Sequence, residues 1–176
     1  MRKIKYFLFL LFSLSFPQRL ETMIVVGRRP YDVCYNSRNH KVYCSNYFSH
    51  NISVIDAETN EVIDSIPARY RPINLDYNPI NNKVYCIVHN TPVHHTGRAD
   101  GILVIDGEAD RILTTIPKSD GGGALALLHN PINNKIYSVN NINNDITIIC
   151  GEGDTVIKTI WTGFFPMGVC HNLRNN

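Results

Sequence analysis

The chain lacks long apolar segments. Its one strongly apolar run, residues 6–12 (YFLFLLF), is much shorter than the ~20 residues that a membrane-spanning helix needs. No later segment is long enough either, so we predict no transmembrane segment. Low-complexity stretches are also missing, and a hydrophobic content of 44% suits a packed core. These absences exclude a helical integral membrane protein and a disordered chain.

The residues around the short apolar run are typical of a secretory signal peptide. Three basic residues lie within the first five positions, and Ser13-Leu14-Ser15 places small residues where a signal peptidase cleaves. We predict a signal peptide over residues 1–15 and a mature chain over residues 16–176. The mature protein would be secreted, periplasmic or attached to the cell surface. The alternative is an uncleaved N-terminal anchor.

An excess of charge of either sign is also lacking. The chain has 17 basic and 15 acidic residues, and three of the basic residues lie in the predicted signal peptide, which leaves 14 against 15. A nearly neutral mature chain gives no reason, by its net charge alone, to expect a nucleic acid or a membrane as partner.

Familiar catalytic motifs are missing from the sequence. It has no nucleophile elbow, no paired carboxylates in a recurring loop, and no CxxC or CxxCH. Residues 121–123 (GGG) lead into a predicted strand and not into a helix, so they lack the helix N-terminus that binds phosphate. We therefore predict no catalytic residue and no cofactor.

An internal repeat is the strongest signal that the sequence contains. NPINNK occurs at residues 78–83 and 130–135, and related turns begin at Asn36 and Asn172, with spacings of 42, 52 and 42 residues. The elements IDAE, IDGE and ICGE recur in the same register. The extra residues of the middle period fall at two junctions, which indicates that these junctions are loops.

Each period predicts four short strands. In the second period they are residues 73–77, 83–88, 101–105 and 111–116. The turns between them contain Asn-Pro and Asp-Gly, and apolar runs such as ILVI predict strands buried on both faces. Four strands in about 42 residues predict an all-β chain folded as a β-propeller. The predicted four-stranded antiparallel blades are approximately 30–67, 72–117 and 124–161.

Two partial strands flank the three predicted blades. Residues 22–26 match the fourth strand of a blade, and residues 167–172 match the first. Because a ring needs roughly four to eight blades, we expect a part of a larger ring. The remaining blades would come from a longer chain or, as the alternative, from other copies of this one.

The repeat has the features of a known family. The stretches NPINNKVY and ISVIDAETNEVIDSIP closely resemble the YVTN-type β-propeller repeat of exported and cell-surface proteins of bacteria and archaea. The four letters correspond to residues 43–46 (YCSN), 85–88 (YCIV) and 137–140 (YSVN), and the second copy has lost the asparagine. The resemblance covers residues 21–176. It implies a propeller and, because the repeat is architectural, little about function.

The predicted loops collect arginines and aromatic residues at one end of the blades, while most acidic residues lie at the other end. The residues at the basic end are Arg28, Arg29, Arg69, Tyr70, Arg71, Arg98, Lys118, Tyr47, Phe48, Phe164 and Phe165. Arginine binds carboxylate, sulfate and phosphate groups, and aromatic rings stack on sugars or bases. We predict an anionic ligand here: an acidic polysaccharide, a nucleic acid strand or an acidic peptide. The alternative is a set of ordinary solvated loop residues.

A cluster of histidines in the inserted loop suggests a metal site. His89, His94 and His95, with Asp100, could hold zinc or copper. Their spacing matches no strong metal signature, and a polar surface loop is the alternative.

Three other residues lie near the ends of predicted first strands. His129, Cys170 and His171 are the best candidates for chemistry in the central channel, with structural packing as the alternative.

Five cysteines leave at least one without an intramolecular partner. The five are Cys34, Cys44, Cys86, Cys150 and Cys170. Matching repeat positions, shared by Cys44 with Cys86 and by Cys34 with Cys170, predict small buried strand residues. Cys34 and Cys44 also flank one predicted hairpin and could form a disulfide across it.

Three functional hypotheses follow. The first is a secreted, non-catalytic propeller that binds a ligand or acts as a scaffold at the cell surface or in the periplasm. The second is an enzyme or redox subunit, because some propellers similar to this family hydrolyse lactones or carry a haem-like or quinone cofactor. The third is a structural surface-layer module.

Overall fold

The computed structural model describes residues 20–89, 99–117, 123–172 and 174, with the backbone alone at residues 99 and 100. All regular elements in these ranges are strands. They are β1 (Pro30–Asn36), β2 (Lys41–Asn46), β3 (Asn51–Asp56), β4 (Glu61–Pro67), β5 (Arg71–Asn78), β6 (Lys83–His89), β7 (Ala99–Asp106), β8 (Arg111–Pro117), β9 (Ala124–Asn130), β10 (Lys135–Asn140), β11 (Asp145–Cys150) and β12 (Thr155–Trp161). The described ranges contain no helix that could cross a bilayer.

The twelve strands form three antiparallel four-stranded sheets. Each sheet is a meander, in which every strand pairs with the next one along the chain: β1–β4, β5–β8 and β9–β12. The first strands of successive sheets are in contact, β1 with β5 and β5 with β9, so the second sheet lies between the other two. The predicted all-β propeller, with three four-stranded blades, is confirmed.

Two apolar layers separate the three sheets. Strand β7 contributes to both, because successive side chains of a strand point to opposite faces. Its Leu103 and Ile105 pack in the layer toward the first sheet, and its Ile102 and Val104 pack in the layer toward the third. All four are at most 5% exposed. The burial of the third strands on both faces, predicted from their apolar runs, is confirmed for β3 and β7, whereas Ile146 and Ile148 of β11 are only partly buried.

The two flanking segments differ from the prediction. The structure places neither residues 22–26 nor residues 167–172 in a sheet. A strand needs ladder hydrogen bonds to a neighbour in its own sheet, and the described ranges hold no such neighbour for either segment. Val169–Asn172 nevertheless lie against the third sheet, where they line a groove together with Leu128 and Tyr137.

The disulfide that Cys34 and Cys44 could form across the first hairpin is not present, since both thiols are free. Cys44 lies opposite Val33 in the ladder, and Cys34 lies opposite Tyr43. Because neighbouring residues of a strand point to opposite faces, the two thiols lie on different faces of the sheet.

The cysteines also differ from one another in burial. Cys44 and Cys86 are buried, as their repeat position predicts, whereas Cys170 is exposed and departs from that expectation. Burial raises the pKa of the Cys34 thiol and that of the Cys86 thiol.

A set of polar bonds joins the first sheet to the second. Lys41 Nζ and Tyr43 Oη both donate to the carboxylate of Asp110, each at 2.6 Å. Asn39 Nδ2 donates to the backbone carbonyl of Gly107 at 2.8 Å. We call this set the blade latch: asparagine, lysine and tyrosine of one blade bind the turn between the third and fourth strands of the next.

The second junction repeats the blade latch residue for residue. Lys83 Nζ and Tyr85 Oη donate to the carboxylate of Asp154, at 2.6 and 2.7 Å. Asn81 Nδ2 donates to the carbonyl of Gly151 at 2.5 Å. The NPINNK repeat therefore does more than form a turn, because its lysine, one of its asparagines and the tyrosine that follows connect neighbouring blades.

Pairs of asparagine amides complete each junction. Asn36 Nδ2 donates to Asn82 Oδ1 at 2.9 Å, and Asn78 Nδ2 donates to Asn134 Oδ1 at 2.8 Å. The turn of the next blade passes so close that a Cβ atom on Gly107 would lie 2.6 Å from Asn36 Nδ2. Glycine is required at this position because any side chain would collide with the junction.

The blade latch can be tested by Tyr85→Phe, with Tyr137→Phe as the matched control. Tyr85 is fully buried, and removing its hydroxyl leaves the Asp154 carboxylate with one hydrogen-bond donor fewer. We expect Tyr85→Phe to lower the free energy of unfolding by about 1–2 kcal/mol. Tyr137 is the equivalent residue of the third blade, and its described hydroxyl contact is with Asn133.

For Tyr137→Phe we expect a change within about 0.5 kcal/mol. Urea unfolding followed by circular dichroism measures both variants. Equal losses at the two positions would contradict the role of the tyrosine–aspartate bond.

Candidate ligand-binding mouth

The antiparallel meander brings two kinds of loop to one end of the blades. The segment before β1 lies along the β2–β3 turn: Tyr47 N donates to the carbonyl of Arg29 at 3.0 Å, and Phe48 N donates to that of Arg28 at 3.1 Å. Arg28 N also donates to Ser49 Oγ at 2.6 Å. These bonds hold two arginines beside two aromatic rings, and we call this end of the blades the mouth.

Aromatic rings position the arginine side chains of the mouth. The guanidinium carbon of Arg29 lies 4.8 Å from the ring centroid of Tyr47 and 4.9 Å from that of Phe48. Arg71, from the second blade, lies 5.5 Å from the same Tyr47 ring. Cations at these distances are attracted by the ring. Tyr47, only 3% exposed, is therefore the centre on which arginines of two blades converge.

The loop between β4 and β5 supplies a further arginine. Arg69 lies 5.2 Å from the ring centroid of Tyr70. The loop is fixed by a bond from Ala68 N to the carbonyl of His50 at 2.9 Å. Arg69 and Arg29 both adopt a left-handed backbone, with φ of 61° and 55°. This conformation costs a non-glycine residue roughly 1–2 kcal/mol, so the surrounding structure must stabilise it.

Within the described ranges, no neighbouring carboxylate neutralises the positive charges of the mouth. Among the residues that the structure describes, no salt bridge involves Arg28, Arg29, Arg69 or Arg71; the ion pairs are those of the two blade latches, at the opposite end of the blades. The Nε atom of Arg71 is buried and has no hydrogen-bond partner in the same ranges. The mouth therefore presents guanidinium groups whose hydrogen-bonding capacity is available to an anion.

A cavity of about 440 Å³ adjoins Arg69 and Tyr70, at the seam between the first and second sheets. Its other lining residues are Ala68, Val88, Leu103, Ile112 and Thr115. The volume falls within the range of small-molecule sites. The cavity combines an apolar wall from the second sheet with a cationic rim from the β4–β5 loop, and the sequence does not predict it because its lining residues are far apart along the chain.

The predicted site residues separate into three groups. Seven lie in the adjoining loops of the mouth: Arg28, Arg29, Tyr47, Phe48, Arg69, Tyr70 and Arg71. Phe164 and Phe165 follow the third sheet, where Phe164 packs edge-on against Trp161 with ring centroids 6.3 Å apart. Their described contacts do not reach the arginines. Arg98 and Lys118 lie outside the described residues.

One residue of the mouth was not predicted. Tyr31 stacks on Tyr47, with ring centroids 6.1 Å apart and an interplanar angle of 26°. It is the second residue of β1, directly after Arg28, Arg29 and Pro30, and this position next to the predicted mouth arginines was the signal for it. Tyr31 is about half exposed, so part of its ring faces solvent.

The metal site stays a prediction. His94 and His95 lie outside the described residues, as does the side chain of Asp100. His89 Nε2 lies 2.8 Å from the backbone carbonyl of Ala124, which connects the second blade to the third. Within the described part of the chain, no three histidine, cysteine, aspartate or glutamate side chains are close enough to hold a metal ion.

His129 joins neighbouring strands and has the position of a tyrosine in the repeat. Its backbone N–H donates to the carboxylate of Asp76, and its Nε2 lies 3.3 Å from Asn134 Oδ1. In the second blade, Tyr77 makes the same contact, from its hydroxyl to Asn82 Oδ1 at 3.2 Å. Burial lowers the pKa of His129, and burial also raises the pKa of Asp76.

Comparisons with known proteins support the fold. No family model matches the sequence. No curated protein matches it either. Among solved structures, 607 chains match. One is hydrazine synthase of Kuenenia stuttgartiensis, a propeller-containing protein, with a TM-score of 0.65 and 17% identity over 81% of this chain.

This chain is a β-propeller module. It spans 38% of the hydrazine synthase chain, and at 17% identity the likeness concerns the fold alone. The similarity therefore carries no activity from that enzyme to this chain.

The environment of His129 predicts a pH-dependent stability. The pKa of His129 in the folded state lies below the usual 6.5. The unfolded chain therefore binds a proton more readily than the folded chain, and the stability falls as the pH drops through about 6.5. His129→Tyr removes this titration and restores the bond that Tyr77 makes. We expect the thermal midpoint of the wild type to fall more steeply between about pH 7.5 and 5.5 than that of the variant. Parallel curves in differential scanning calorimetry would contradict this.

Proposed function

We propose that this chain is a non-catalytic binding module whose mouth holds an acidic polymer, with an acidic polysaccharide as the preferred ligand. The observation that carries the proposal is the cluster around Tyr47. Arg29 and Arg71, from two blades, lie over one buried ring, and neither forms a salt bridge with a described carboxylate.

The chemistry of the mouth suits a charged sugar chain. Guanidinium groups bind sulfate or carboxylate through two parallel hydrogen bonds. Phe48 and Tyr31, both about half exposed, offer ring surface beside these charges. Aromatic rings that have a solvated polar edge and an apolar face are common recognition groups. A polymer with alternating anionic groups and flat sugar rings would use both features.

The choice of a polysaccharide also rests on where the protein is proposed to act. The sequence of residues 1–15 has the pattern of a signal peptide, and the repeat resembles that of exported propellers. We propose that the module acts at the cell surface or in the periplasm, where acidic polysaccharides are present. A nucleic acid strand and an acidic peptide are the competing ligands.

Replacing Arg29 and Arg69 tests the proposal. We expect Arg29→Ala with Arg69→Ala to weaken binding to heparin oligosaccharides by roughly ten-fold or more, because each hydrogen bond to a charged group contributes about 1.5–3 kcal/mol. Calorimetric titration at two salt concentrations measures the effect. Arg29→Lys with Arg69→Lys keeps the charge but loses the paired donors, so its affinity should be intermediate.

Arg38→Ala with Arg111→Ala is the charge-matched control. Both arginines are exposed: Arg38 lies in the β1–β2 turn and Arg111 is the first residue of β8, at the end opposite the mouth. Equal weakening by the two double alanine variants would show that net charge, and not the mouth, is responsible. Tighter binding of oligo(dT) or polyglutamate than of heparin would replace the polysaccharide by one of the competing ligands.

A further inference from the structure

The third blade presents the donor half of a blade latch again. Asn133, Lys135 and Tyr137 occupy the positions of Asn81, Lys83 and Tyr85 in the repeat. Among the described residues, none of the three bonds a carboxylate: Asn133 Nδ2 lies 3.4 Å from Tyr137 Oη, and Lys135 forms no salt bridge. The third blade therefore carries all three hydrogen-bond donors that a blade latch needs.

The exposure of these residues agrees with the absence of a described acceptor beside them. Tyr43 and Tyr85, which make latches, are both 0% exposed, whereas Tyr137 is only partly buried. Asn133 is exposed, while Asn81 is partly buried under the third blade.

The first blade lacks the acceptor half. The turn that carries Gly107 and Asp110 in the second blade carries Ala57 and Asn60 in the first. Asn60 offers no carboxylate to a lysine. A Cβ atom at the glycine position would collide with an incoming asparagine amide, as the distances around Gly107 show. A second copy of this chain, docking through its first blade, would thus bring neither the carboxylate nor the glycine that a blade latch needs.

The trailing segment indicates where a further blade would begin. Val169–Asn172 lie against β9 and β10, with Leu128 and Tyr137 as lining residues of the shared groove. The first strand of the second blade contacts β1 and β2 in the same way, and that of the third contacts β5 and β6. The segment therefore follows the path that the first strand of a fourth blade would take.

We infer that the outer face of the third sheet docks a further blade of this repeat type. Its first strand is residues 167–172, and its turn between the third and fourth strands carries a glycine followed three residues later by an aspartate. The aspartate accepts from Lys135 Nζ and Tyr137 Oη, and the glycine carbonyl accepts from Asn133 Nδ2. The occupant is a blade with this turn and not the first blade of a second copy.

Two grafts of equal length test this chemistry. In the first, a copy of residues 131–161, which carries Gly151 and Asp154, replaces the residues after Asn172. In the second, the matched copy is residues 37–67, which carries Ala57 and Asn60. Because Asn172 aligns with Asn130 and with Asn36, both grafts complete a blade in register.

Tyr137→Phe, at its original position, is then introduced into each grafted chain. In the first graft we expect it to lower the thermal midpoint by about 2–4 °C, the shift for a domain of this size when one such bond is lost. In the second graft we expect a shift below about 1 °C. Hydrogen exchange should show protected amides over residues 167–172 in the first graft.

Three outcomes would overturn the inference. Equal shifts in the two grafts would show that the aspartate and glycine do not matter. Unprotected amides over residues 167–172 in the first graft would show that no blade forms there. Association of the ungrafted chain, weakened by Tyr137→Phe in sedimentation experiments, would assign the face to a second copy.

Discussion

A carboxylate shared by a lysine and a tyrosine of the neighbouring blade is the interaction on which the structure depends. Apolar layers hold the sheets together, but apolar contact alone is non-directional and permits sliding. The bond from Tyr85 to Asp154, made from a fully buried ring, has one geometry. With Lys83 it sets the position of one sheet relative to the next, and the apolar side chains then interdigitate in that register.

The mouth at the opposite end depends on this register. Arg71 belongs to the second blade and Tyr47 to the first, so their 5.5 Å contact exists only while the two blades keep their relative position. Arg29 approaches the same ring through bonds within the first blade. A shift between blades would separate the guanidinium groups without breaking either loop. The arrangement of side chains at the mouth is therefore coupled to the packing of the blades at the other end.

Strands and turns could be predicted because their causes are local. Asn78 Oδ1 accepts from Ile80 N two residues away, and such bonds are visible in the sequence as Asn-Pro turns. The blade latch was not predicted, since Tyr43 and Asp110 are 67 residues apart and no local pattern joins them. The repeat did hold a clue, because a turn alone does not require its lysine and tyrosine. The register of β1 and β2 explains why Cys34 and Cys44 form no disulfide, because it places Val33, and not Cys34, opposite Cys44.

The second and third blades each carry both halves of a blade latch, donors in the turn between the first two strands and acceptors in the turn between the last two. A copy of either blade therefore carries both the donors and the acceptors of a latch, and its junction with an identical neighbour needs no new residues. The first blade carries Ala57 and Asn60 at the acceptor positions, so a copy of that blade would need a different interface.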